Sequence, residues 1–70
     1  MSFQVGQKVA WDWGNGTAEG KVTQIYTRKV KRTIKGTEVT RNGSSDDPAL
    51  LIKQSDGDEV LKSSAEVRAA

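Results

Sequence analysis

Polar and apolar residues alternate near the start of the chain, and this alternation predicts a β-strand that ends at Trp13. Side chains two residues apart share one face of a strand, so Val9, Trp11 and Trp13 lie together and form a core-facing side. The intervening residues form the opposite side, which we expect to face solvent: Lys8, Ala10 and Asp12.

The turn residues Gly14-Asn15-Gly16 predict a hairpin that joins this strand to a second one over residues 17–26. Gly20 lies inside the second strand and indicates a β-bulge, where the strand bends as a small barrel requires. Beyond Gly20 the alternation is broken at Val22, Ile25 and Tyr26, which predicts an irregular register.

The middle of the chain predicts a second hairpin with one charged face. Val30, Arg32 and Ile34 share one side of a strand, and the alternate positions are basic or polar up to Lys35. Lys35-Gly36 predicts a tight turn into residues 37–41, which are rich in β-branched side chains.

Loop residues fill positions 42–48, the longest predicted loop, and the apolar run after Pro48 predicts a buried strand over residues 49–54. A turn at residues 55–58 leads to a last strand at 59–62. Ser63 and Glu66 have the spacing of a capping box, which predicts a single helical turn near the C-terminus. Five to six short antiparallel strands without a long helix indicate an all-β domain, and closure into a small barrel removes exposed strand edges.

Composition narrows the class of protein. The chain has 70 residues, a net charge of +2, and neither cysteine nor histidine, so disulfides and zinc sites built from these residues are excluded. Residues 1–4 lack the features of a secretory signal, and no segment approaches the roughly 20 apolar residues of a membrane-spanning helix. We expect one cytoplasmic domain over residues 1–70, with no membrane partner, cofactor or metal.

Charge is unevenly distributed, because six of the eleven basic residues stand in residues 28–41, where Glu38 is the one acid. Such a hairpin can neutralise the phosphates of a nucleic acid while an aromatic ring stacks on a base. The competing interpretation is a solvated face whose charges prevent edge-to-edge pairing of strands. The candidate ligand-binding residues are Trp13, Tyr26, Arg28, Lys29, Lys31, Arg32, Lys35 and Arg41.

Several motifs occur once each along the chain: Val5-Gly6-x-x-Val9-x-Trp11, Gly20-x-Val22, residues 33–43, Asp46-Asp47-Pro48-Ala49 and residues 56–62. In this order they resemble the hypervirulence-associated Tudor-domain family, over a core of about residues 5–67. The resemblance implies a Tudor-like barrel of the SH3 type, and it implies no specific biochemical activity.

A Tudor-type reader of methylated side chains surrounds one cation with several aromatic faces. The chain has four aromatic residues, and Trp13 alone matches a position from which Tudor readers build this cage. The start of the second strand and the last hairpin have no ring there. We therefore expect Trp11 in the core and Trp13 on the rim of the barrel.

Catalysis is not indicated, because the chain has no histidine, cysteine or glycine-rich phosphate loop to activate a nucleophile. Asp56-Gly57-Asp58 lacks the other ligands of a calcium loop, and Asp46-Asp47 lacks a third ligand, so both are interpreted as turns. The sequence predicts a non-enzymatic, Tudor-like interaction module that recognises a protein segment or an anionic partner. The alternative is a nucleic-acid-binding barrel that uses the basic hairpin 28–41.

Overall fold

A computed structural model describes residues 3–70, so residues 1 and 2 of the predicted domain lie outside the described range. The described residues form seven strands, one 3₁₀ turn and no α-helix, and all strand pairs are antiparallel, which confirms the all-β class. Within the described residues, no helix has the length and apolar character needed to cross a membrane. The elements are β1 (Lys8–Trp13), β2 (Gly16–Tyr26), β3 (Lys29–Ile34), β4 (Thr37–Asn42), β5 (Ala49–Gln54), β6 (Glu59–Ser63), a 3₁₀ turn (Ser64–Glu66) and β7 (Arg68–Ala69).

The main sheet has five strands in the order β6-β5-β2-β1-β7. Trp11 of β1 and Val60 of β6 belong to the same hydrophobic cluster although their strands are not neighbours, so the sheet curls around that cluster into a small barrel. The predicted turn after Ser63 is present, whereas β7 was not predicted. Arg68 and Ala69 of β7 pair with Ala10 and Val9 and continue the sheet beyond β1.

The first cluster is the barrel core, and it contains Phe3, Val9, Trp11, Val22, Leu50 and Ile52. Trp11 is 4% exposed and Trp13 is 62% exposed, which confirms that the first ring is core and the second is rim. Ala10 was expected in solvent but is buried. Ala10 pairs with Glu19 of β2 on one side and with Arg68 of β7 on the other, so its position lies between two strands.

β5 is buried on both faces, as its continuous apolar run predicts. Leu50 and Ile52 point into the barrel, whereas Ala49 and Leu51 lie in a second cluster with Leu61. The hairpin β3–β4 covers this second cluster with Val30, Ile34 and Val39. The hairpin is therefore a separate two-stranded sheet packed on the outside of the barrel, whereas the sequence predicted five to six strands closed into one barrel.

Gly20 does not form the predicted bulge. Gly20 pairs in register with Val9 of β1 and with Gln54 of β5, and the register shift lies between Val22 and Gln24. Gly20 is required for another reason, since a Cβ atom there would stand 2.6 Å from Ile52 Cγ2 and 2.8 Å from the Lys53 carbonyl oxygen. The missing side chain lets β2 and β5 approach closely.

Hydrogen bonds hold the long loop before β5 at its C-terminal end. The Asp47 carboxylate accepts bonds from the Ser64 hydroxyl at 2.6 Å and from the Ala65 N–H at 3.0 Å. These bonds lower the pKa of Asp47. The loop thus caps the 3₁₀ turn and fixes the start of β5 against the end of β6.

Candidate functional site: the basic hairpin

The six cations of the basic hairpin do not form one patch. Lys29 and Lys31 are exposed on the outer face, which points away from the barrel. Arg32 and Arg41 lie on the inner face together with the apolar residues, and both are half-buried. Arg28 precedes β3 and Lys35 occupies the turn, so the cations surround the hairpin on several sides.

Lys35 and Gly36 form the predicted tight turn, with φ angles of 52° and 77°. Positive φ at both central residues is the geometry of a type I′ hairpin turn. The Lys35 ammonium lies 2.7 Å from Asp58, in the turn between β5 and β6. This hydrogen bond and the charge of Asp58 raise the pKa of Lys35. The ion pair connects the tip of the hairpin to the barrel.

Arg41 connects the other end of the hairpin. Its Nε donates to Glu66 at 3.0 Å, and the same carboxylate accepts the Ser63 N–H at 2.9 Å, as in the acidic half of a capping box. Partial burial opposes ionisation of Glu66, but these hydrogen bonds and the charges of Arg41 and Lys62 lower its pKa on balance. Lys35 and Arg41 thus have structural contacts that occupy their charges.

The remaining cations are less compensated. Lys31 is 3.8 Å from Glu38 across the hairpin, and both side chains are mostly exposed, so this pair contributes little stability. Within residues 3–70, Arg28, Lys29 and Arg32 have no carboxylate within 4 Å. Their charges are available to a partner.

β3 also presents an open edge, since in the described part of the chain it pairs with β4 alone. The two-residue turn makes Ile34 and Thr37 a hydrogen-bonded pair, and every second residue of β3 before Ile34 then bonds to β4. The bond from the Gly43 N–H to the Arg28 carbonyl, at 3.0 Å, agrees with this alternation. The backbone groups that face the open edge are those of Lys29, Lys31 and Thr33.

The two candidate aromatic residues lie near opposite ends of β2: Trp13 of β1 pairs with its first residue, and Tyr26 is its last residue. Trp13 pairs with Gly16, and its ring stands over that glycine. Tyr26 pairs with Ala49, is half-buried in the second cluster, and donates its hydroxyl hydrogen bond to Gln24. The ten-residue separation along one strand keeps the rings apart. They form neither a cage nor a shared stacking platform.

A second group of cations lies on the outer face of the main sheet and was missed by the sequence analysis. Lys21 stands directly opposite Lys8 on one side and directly opposite Lys53 on the other. These three residues, called the lysine row, line a groove of about 570 Å³. Each lysine lies in a different strand, so only the register brings them together.

Carboxylates are not grouped in the same way. In the portion that the structure describes, no set of three or more acidic side chains is placed to hold a metal ion. Asp47 is engaged in the cap described above, and Asp56 accepts the Asp58 N–H at 3.0 Å within a turn, as predicted from the sequence.

Comparison with known protein families gives a match over most of the chain. A family model described as the TUDOR domain of hypervirulence-associated proteins matches residues 6–67. The matched range includes all of β1 to β6, the basic hairpin and the lysine row. Neither a curated protein nor a solved structure matches the chain.

Proposed function

We propose that this chain, which belongs to the family of hypervirulence-associated proteins with a TUDOR domain, is a non-enzymatic interaction module for an acidic, extended protein segment. A Tudor-like domain is a small binding module. The segment would add a strand to the open edge of β3. That open edge is the observation that supports this function.

The chemistry of the ligand follows from the alternation along β3. Its backbone would bond to the outward-facing groups of Lys29, Lys31 and Thr33, while alternate side chains would stand opposite the two lysines. Acidic residues two apart in the segment would then pair with both ammonium groups. Opposite-charge pairs across strands contribute about 0.2 to 1 kcal/mol each, so two pairs change affinity by about two- to thirtyfold.

The test is a titration of a fluorescently labelled peptide with alternating Glu and Thr residues, followed by fluorescence anisotropy. A peptide with Gln in place of Glu is the control ligand. We expect the Lys29→Gln/Lys31→Gln double variant to bind the acidic peptide two- to thirtyfold more weakly. The charge-matched control is the Lys21→Gln/Lys53→Gln double variant, which we expect to bind normally because these lysines lie on the main sheet.

Equal weakening in both double variants would contradict the proposal, because it would show attraction by net charge alone. The protective interpretation of the hairpin makes a different prediction. If Lys29 and Lys31 serve only to block edge pairing, their replacement increases self-association in analytical ultracentrifugation and the acidic peptide does not bind the unmodified protein.

The second candidate is a nucleic acid held through its phosphates, which is supported by the uncompensated charges of Arg28, Lys29 and Arg32. Trp13 pairs with the far end of β2, and Tyr26, the ring nearest in sequence to Arg28, is half-buried in the second cluster, so base stacking would contribute little to this ligand. A single-stranded oligonucleotide in the same assay distinguishes the candidates. Binding of the oligonucleotide with a steep salt dependence, without binding of the acidic peptide, would favour the nucleic acid.

A further inference from the structure

We infer that the groove over the lysine row, Lys8, Lys21 and Lys53, binds the phosphate group of a small phosphorylated molecule. This site lies on the main sheet, apart from the open edge of β3, and it does not depend on the proposed function of the hairpin.

The register of three adjacent strands places the lysines in line. Residues that stand directly opposite each other in an antiparallel pair have Cβ atoms about 4.5 to 5.5 Å apart on the same face. Lys8, Lys21 and Lys53 therefore form a line across three adjacent strands, β1, β2 and β5. Their flexible stems allow three ammonium groups to converge on a single anion.

The positive charge of the lysine row is only partly balanced by carboxylates. Lys8 has a carboxylate partner, Glu19, at 3.5 Å. Lys21 and Lys53 have none within 4 Å among residues 3–70. Like charges directly opposite each other on a sheet are unfavourable, so the row is costly when empty and is stabilised by a bound anion. Glu59 stands directly opposite Lys53 on β6 but outside ion-pair distance, so the three lysines together with Glu19 and Glu59 leave a net positive charge, which a phosphate group would neutralise.

The groove has room and polar groups for more than a phosphate ion. Its volume of about 570 Å³ is in the usual range for small-molecule sites and exceeds what phosphate alone would fill. Gln54 and Ser55 line the end next to Lys53 and bring neutral polar side chains. The Thr23 hydroxyl is engaged with the Leu51 carbonyl at 3.1 Å and helps to fix the wall. The neutral end suits the organic part of a phosphorylated molecule.

The strands β2 and β5 are closely packed beside Lys21 and Lys53. At Gly20 the strands β2 and β5 approach so closely that a Cβ atom would overlap the Lys53 carbonyl oxygen. Lys21 follows Gly20 in β2, and Lys53 is the residue of β5 that Gly20 contacts, so this close packing sets the spacing of the two strands at the lysines. A preformed row loses less conformational entropy on binding than lysines on a loop.

The test is an NMR titration of ¹⁵N-labelled protein at constant ionic strength with inorganic phosphate, ribose 5-phosphate and, as the uncharged control, ribose. We expect saturable shifts with both phosphates, centred on the amides of Lys21, Lys53 and Ser55, and none with ribose. Equal affinity for the two phosphates assigns recognition to the anion alone, whereas tighter binding of ribose 5-phosphate shows that the neutral end also contributes.

The two double variants of the hairpin test also serve here, and the variant that was the control there is expected to lose phosphate binding. Lys21→Gln/Lys53→Gln should weaken phosphate binding at least about tenfold, since each lost charge-assisted hydrogen bond is a large part of the affinity. Its melting temperature without ligand should be equal or higher, because like charges are removed. Lys29→Gln/Lys31→Gln should bind phosphate normally, and Lys21→Arg/Lys53→Arg should retain binding.

Three results would overturn the inference. The first is unchanged phosphate affinity in Lys21→Gln/Lys53→Gln. The second is equal weakening in the hairpin variant, which would indicate general attraction to a basic protein. The third is a set of shifts that do not saturate and that extend over the lysines of the whole chain. Because the acidic peptide and the phosphates are measured on both double variants, failure of one site is distinguishable from failure of the other.

Discussion

Replacing Trp11 by alanine removes a large aromatic side chain from the barrel core, and the structure predicts a much greater loss of stability than for Trp13. A tryptophan side chain covers up to about 250 Å², and burial of apolar surface contributes about 25 cal/mol per Å². Trp11 is 4% exposed, so its burial corresponds to roughly 6 kcal/mol as an upper bound. Measured costs for such truncations are about 3 to 5 kcal/mol.

Trp13 is 62% exposed, and the same arithmetic limits its contribution to roughly 2 kcal/mol. A domain of this length has a free energy of unfolding of about 4 to 10 kcal/mol. Trp11→Ala therefore consumes much of that stability or unfolds the chain, whereas Trp13→Ala leaves it folded. Trp11→Phe, which keeps a ring in the core, is an intermediate variant that stays folded if the alanine variant does not.

The assay is urea denaturation followed by circular dichroism, with equal m-values as the condition for comparing midpoints. Fluorescence provides an independent check, because Trp11→Phe leaves the exposed indole of Trp13 and should emit at longer wavelength than Trp13→Phe. Equal losses of stability from Trp11→Ala and Trp13→Ala would refute the assignment of one ring to the core and the other to the rim.

Two further predictions concern contacts that hold the strands together. Gly20→Ala should lower the free energy of unfolding by about 1 to 3 kcal/mol in urea denaturation, because the new methyl group overlaps Ile52 and the Lys53 carbonyl; no loss would show that the strands separate freely there. The lowered pKa of Asp47 contributes stability that is fully present above its unfolded pKa of about 4 and is lost as pH falls through the folded value. In acid unfolding, Asp47→Asn should therefore reduce the dependence of stability on pH below about 4, and an unchanged profile would contradict the role of its bond to Ser64.

Local patterns in the sequence predicted most of the barrel. The alternation before Trp13 and the turn residues Lys35-Gly36 define hairpins through contacts between near neighbours, and both are present. β7 escaped prediction because two residues, Arg68 and Ala69, carry no periodic signal and pair with β1, which is distant in sequence. The bulge was placed at Gly20 because glycine is its usual mark, but here glycine serves close strand packing and the shift comes after Val22.

The candidate site was predictable only as a charged segment. Sequence located the cations of the hairpin, but the contacts that engage Lys35 and Arg41 join them to Asp58 and Glu66, far along the chain. The packing of the hairpin outside the barrel had one signal, the apolar run at residues 49–52, which implies a strand buried on both faces. The lysine row had none, because it depends on the register of three strands.

Backbone amide hydrogen exchange measured by NMR reports whether the edge of β3 is open and whether the acidic segment binds there. In the free protein the amides of Lys29, Lys31 and Thr33 should exchange faster than those of Val30, Arg32 and Ile34, which bond to β4. Addition of the acidic peptide should slow exchange at the first three residues specifically. Slow exchange there without peptide, or peptide binding that leaves these three amides unchanged while others become protected, would contradict the account.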